Sequence, residues 1–92
     1  MFKKGEIVLT RGINDRVCED AKFSKAVIGA LLRYSKKDWG ELCEEDKLLN
    51  DMAVENGEDR IVAKYLIEDS EAIYIITEAD RSCTTILFTS KY

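Results

Sequence analysis

Three runs rich in β-branched and aromatic residues, 59–67, 72–78 and 83–89, follow one another with only the short connections Glu68–Glu71 and Ala79–Ser82 between them. Connections this short cannot carry the chain across a sheet and back, so the runs must pair as antiparallel hairpins. In the middle run Ile73 and Ile75 point one way while Tyr74 and Ile76 point the other. A strand apolar on both sides belongs inside its sheet. The last third therefore reads as a meander. Glu6-Ile7-Val8-Leu9-Thr10, closed by Arg11-Gly12, reads as a further strand added at an edge.

Between them the period changes. Ile13 to Asp20 has helical composition, with Asn14 expected as its N-cap and Val17, Cys18 and Ala21 on a shared face. Ser24 is expected to cap a second helix reaching about Lys36, with Phe23 stapled onto Ile28 and with Val27, Ile28, Leu31, Leu32 and Tyr34 docked on the sheet. Gly29 weakens that helix and suggests a close approach. Glu44 to Asn56 reads as a third helix ending at Gly57, with Leu48, Leu49, Met52 and Ala53 as its inward stripe. The fold class expected is α+β, a single domain over 1–92. A three- to four-stranded, mostly antiparallel sheet would carry two to three helices on one face.

Composition excludes several classes of function. The longest apolar stretch, Ala26 to Leu32, is seven residues, against roughly 20 for a membrane-spanning helix. The opening MFKKGEIVLTRG has too short an apolar run for a signal peptide, so a cytosolic location and no membrane partner are expected. There is no histidine, which removes the usual general base and every histidine-activated nucleophile. Cys18, Cys43 and Cys83 form no C-x-x-C and are expected as free, mostly buried thiols rather than a bridge or a metal cage. No glycine-rich phosphate loop or nucleophile elbow is present. Neither enzymatic activity nor a cofactor or metal is expected.

Charge is strongly segregated. Residues 38–59 hold nine of the 18 carboxylates against the single base Lys47, whereas residues 1–37 hold nine Lys/Arg against four acids. Glu44, Glu45 and Asp46 fall in the first turn of the third helix, where its dipole favours negative charge. Together with Asp38, Glu41, Glu55, Glu58 and an exposed Trp39 they would form an acidic docking face with an aromatic anchor. A solvated helix face explains the same acids equally simply, as a lid over the core explains Trp39. The turn holding Glu78, Asp80, Arg81 and Thr84 is the other polar cluster. It reads as a structural clamp, with Arg81 tying backbone carbonyls and the carboxylates of Asp38 or Glu41, or alternatively as a binding or catalytic centre.

The strings DWGELCEEDKLLND, GEDRI and ITEADRSCTTILF, with the terminal Tyr92, resemble a family of small bacterial proteins usually titled "plasmid-related protein", carried on plasmids, conjugative transposons and prophages. The likeness is close from Asp38 to Tyr92. Cys43 stands where that family usually has an acidic residue. The resemblance implies a genomic setting, mobile DNA, rather than a chemistry. The leading expectation is a non-enzymatic, monomeric accessory of a mobile element that binds a host-defence or element-transfer protein, its acidic helix imitating nucleic-acid phosphates. A nucleic-acid binder using Lys3, Lys4, Arg11, Lys22, Lys25, Arg33, Lys36 and Lys37 is the alternative, disfavoured by the overall acidity. An enzyme centred on Glu78, Asp80 and Arg81 comes third.

Overall fold

The structure is a computed structural model that describes residues 2–68 and 71–92. Strand β1 (Glu6–Leu9) leads into helices α1 (Arg11–Glu19), α2 (Ala21–Ser35) and α3 (Glu44–Asn56). Strands β2 (Ile61–Glu68), β3 (Glu71–Thr77) and β4 (Cys83–Phe88) follow, and a 3-10 turn, Thr89–Lys91, closes the chain. The sheet order is β1-β4-β3-β2, with β2, β3 and β4 antiparallel and β1 parallel to β4 at the edge. The fold is α+β. Of the two connections read from the sequence, residues 69 and 70 of the first lie outside the described residues.

Alternation sets the sheet's two sides. Ile61, Ala63 and Tyr65 of β2, Ile73 and Ile75 of β3 and Ile86 of β4 are all buried, and they meet Ile13 of α1 with Phe23, Val27, Ala30 and Tyr34 of α2. Polar groups inside this layer are paired in a chain. Thr84 Oγ1 donates to the Lys4 carbonyl at 2.7 Å, Thr77 and Thr84 hydroxyls meet at 2.7 Å, and Tyr34 and Thr77 hydroxyls meet at 2.6 Å. Each hydroxyl has one proton to give, so the three bonds run in one direction, from Tyr34 through Thr77 and Thr84 to Lys4. Burial pushes the Tyr34 phenol up to about 12.

The helix ends depart from the sequence reading. Thr10, not Asn14, precedes the first turn of α1, and Asn14 lies inside the helix. The second helix starts at Ala21 because Asp20 caps it, its Oδ1 accepting from the amides of Lys22 (3.0 Å) and Phe23 (3.2 Å). A carboxylate takes two orphan amides where the Ser24 hydroxyl would take one. Phe23 is consequently a buried helical residue under the Arg16 guanidinium, and no staple onto Ile28 forms, Ile28 being 57 % exposed. Leu32, Cys18 and Ala21, expected inward, are exposed as well. All three cysteines are free thiols, but Cys18 and Cys43 are exposed and Cys83 half-buried, so the expected burial is corrected. Among the described residues no helix is long and apolar enough to cross a membrane.

Candidate docking surface on helix α3

Helix α3 starts and stops where its sequence says. Its first turn carries Glu44, Glu45 and Asp46, and Gly57 ends it at a positive φ of 70°, its amide returning to the Ala53 carbonyl at 2.8 Å. Its inward side differs from expectation. Only Asn50 and Ala53 are buried, whereas Leu48, Leu49 and Met52 are 60 %, 61 % and 48 % exposed. Hydrogen bonds, together with the packing of Ala53 and Val54 on the core, hold the helix to the sheet edge. Asn50 Nδ2 donates to the Val62 carbonyl at 2.8 Å, and the Val62 amide donates to Asn50 Oδ1 at 3.2 Å. One side-chain amide thus completes the outward-facing donor and acceptor of β2.

The loop before α3 seals the same edge. Gly40 forms a parallel bridge with Lys64, and the Glu41 amide donates to the Lys64 carbonyl at 2.8 Å. Gly40 has φ 76°, and a Cβ there would stand 2.0 Å from the Lys64 carbonyl oxygen, so no other residue fits. The Glu41 carboxylate accepts from the Leu66 amide at 3.0 Å. Asp38 pairs with Arg33 at 2.8 Å and also accepts from the Gly40 amide. The Arg33 guanidinium holds the Asp38 carboxyl below its usual value. Trp39 is only 2 % exposed, edge-on to Tyr34, with its indole N–H donating to Asp51 at 2.9 Å. Of the two readings of Trp39, the lid over the core with a bonded indole N–H holds and the exposed anchor does not, and Asp38 and Glu41 are fastened to their own chain.

The acids that remain free for a partner are those on the helix and just past it. Glu44, Glu45, Asp46, Glu55 and Glu58 are all exposed, and Glu44 has only a 3.8 Å contact to Lys47. Between them on the outer side of α3 lie Leu48, Leu49 and Met52. Leu49 borders a groove shared with Leu42, Val62, Tyr74 and Tyr92. The result is an apolar ridge rimmed by carboxylates. Sequence reasoning placed the acids there but took the ridge for core, because apolar periodicity alone does not say which side of a helix faces inward. Asn50 was the available signal, since a lone amide among apolar positions asks for buried partners.

The polar turn is wired inward. Arg81 sits at a left-handed φ of 61°. Its Nη1 donates to the carbonyls of Asp59 (2.7 Å), Ala79 (3.0 Å) and Glu78 (3.2 Å), and its Nη2 to the Ala53 carbonyl (2.8 Å) at the end of α3. The clamp is present with different partners: carbonyls alone, rather than Asp38 or Glu41. A guanidinium at a helix C-terminus meets its last carbonyls and the negative dipole end together. Asp80 accepts from the Ser82 amide at 2.9 Å, the Ser82 side chain first and its amide second hold the Asp80 carboxyl below the usual range, and Thr84 is buried in the hydroxyl chain. Glu78 is half-buried, its carbonyl bound by Arg81 and its amide donating to Cys83. No family model, curated protein or solved structure matches this chain.

Proposed function

We propose that the chain is a non-enzymatic accessory protein of a mobile genetic element that acts by binding a protein partner through the outer side of α3. The observation that carries this reading is the exposed ridge of Leu48 and Met52 set among Glu44, Glu45 and Glu55. Apolar side chains held in water on a rigid helix gain free energy when a partner covers them. The surrounding carboxylates choose that partner, since they repel anionic surfaces and steer basic ones. A protein that grips nucleic-acid phosphates, in host defence or element transfer, has the complementary charge.

The Arg81 turn supports a structural part rather than a catalytic one, because that guanidinium already serves four carbonyls of its own chain. The basic side of α2 offers Ile28 and Leu32 beside its lysines, aliphatic groups without the flat π-face on which bases stack. The test is a tagged pull-down from a nuclease-treated bacterial extract at low and high salt, using the wild type and Leu48→Asp/Met52→Asp. A protein retained by the wild type at low salt and lost from the variant is the expected result. Equal retention by both, or nucleic acid copurifying from untreated extract, contradicts it.

A further inference from the structure

Helix α2 carries a second exposed ridge, and its pattern is the mirror of the one on α3. Ile28 and Leu32 are 57 % and 58 % exposed, on the side opposite the buried Phe23, Val27, Ala30 and Tyr34. They lie between Lys25 and Lys36, both exposed and, among the described residues, unpaired with any carboxylate. Read forward from Lys25, the apolar residues and the second lysine follow at offsets of 3, 7 and 11. Read backward from Glu55, Met52, Leu48 and Glu44 follow at the same offsets of 3, 7 and 11.

We propose that, when no foreign partner covers it, the α3 ridge is covered by a second copy of this chain, presenting its α2 ridge antiparallel. The register opposes Lys25 to Glu55, Ile28 to Met52, Leu32 to Leu48 and Lys36 to Glu44. The apolar pair on each helix is spaced i, i+4, about 6 Å along the axis, so the side chains interleave as ridges into grooves. Each cation meets an anion at both ends of the contact. The antiparallel arrangement also sets the carboxylate-rich start of α3 beside the lysine-rich end of α2. A parallel alignment matches the charges but misses the apolar residues by one position.

Gly29 fits the same contact. It lies on the outer side of α2 between Lys25 and Leu32, and a Cβ built there meets nothing within 4 Å. Among the described residues no contact requires a glycine at this position, where alanine would favour the helix. A bare backbone there lets a second helix approach closely. Because α2 and α3 are different surfaces, two copies related by a two-fold axis make the contact twice, and copies in a string make it once per junction.

The inference rests on the α3 docking reading and adds a second copy as the occupant when no foreign partner is bound. Sedimentation velocity over a concentration series tests it, with far-UV circular dichroism verifying that every variant is folded. The wild type should sediment as a dimer or larger species that dissociates on dilution and with added salt. Lys25→Glu and Glu55→Lys should each weaken association about ten-fold by opposing like charges. The chain carrying both changes restores an opposite pair between copies and should recover to within about three-fold of wild type. Gly29→Gln should also weaken association. Strictly monomeric wild type, or a double variant no better than its parents, overturns the inference. The α3 reading falls separately, when Leu48→Asp/Met52→Asp retains a foreign partner as well as the wild type does. Binding of a short DNA duplex lost on Lys25→Glu, without self-association, would assign the α2 side to nucleic acid and also overturn it.

Discussion

Asp38 and Glu44 stand six residues apart in one acidic segment, yet the protein uses them in opposite ways. From Asp38 to Glu41 every side chain bearing a polar group is tied to another part of the chain: Asp38 to Arg33, Trp39 to Asp51, Glu41 to the edge of β2. From Glu44 onward, Glu44, Glu45, Asp46, Glu55 and Glu58 stand in solvent, and Leu48, Leu49 and Met52 among them stand there too. Charge density is similar in the two stretches, so charge is not what separates them. Geometry is. The loop must satisfy the open edge of a strand, whereas the helix satisfies its own backbone and leaves its outer side free.

The sharpest break would come at Trp39. Trp39→Ala empties a site shared with Phe2 and Tyr34 and should cost about 3–5 kcal/mol in urea unfolding. A loss below about 1 kcal/mol would move Trp39 back among the surface residues. Asn50→Ala is the next largest. It leaves the Val62 amide and carbonyl without partners behind a helix, for about 2–3 kcal/mol by the same measurement. Hydrogen exchange should then speed up at Val62 before it does at Ile75.

Alkaline pH probes the layer beneath. Burial raises the Tyr34 phenol from 10.0 to about 12 and shifts Tyr65 in the same direction. The unfolded chain therefore loses these protons first as pH climbs. Stability from Tyr34 is complete below about pH 10 and falls as pH rises to 12, by about 2 kcal/mol there. Tyr34→Phe, less stable near neutrality, should show a shallower decline between those values in urea titrations. Arg81→Lys keeps the charge but cannot reach the Asp59, Ala79 and Ala53 carbonyls together. A thermal melt should report a loss of about 1–2 kcal/mol.

The same division marks what could be read from the residues alone. The meander was legible because short connections leave antiparallel pairing as the only solution, and α3 was legible from end to end because Gly57 and the first-turn acids punctuate it. Which side of each helix faces inward was not. Leu48 and Ile28 satisfy an apolar period, but Asn50 and Asp20 decide the geometry through bonds to specific amides and carbonyls. Periodicity reports where apolar residues recur, not whether a sheet is there to receive them. Arg81 was read as a clamp from its donor fork, while its acceptors came from segments that only the folded chain brings together.

On the reading proposed above, the outer ridge of α3 serves association and not folding. Urea unfolding of Leu48→Asp/Met52→Asp, at a concentration dilute enough to keep the wild type monomeric, tests it most directly. A stability within about 0.5 kcal/mol of wild type is expected, as for other exposed positions. A loss of about 2 kcal/mol or more would put the ridge in the core and remove it as a docking surface.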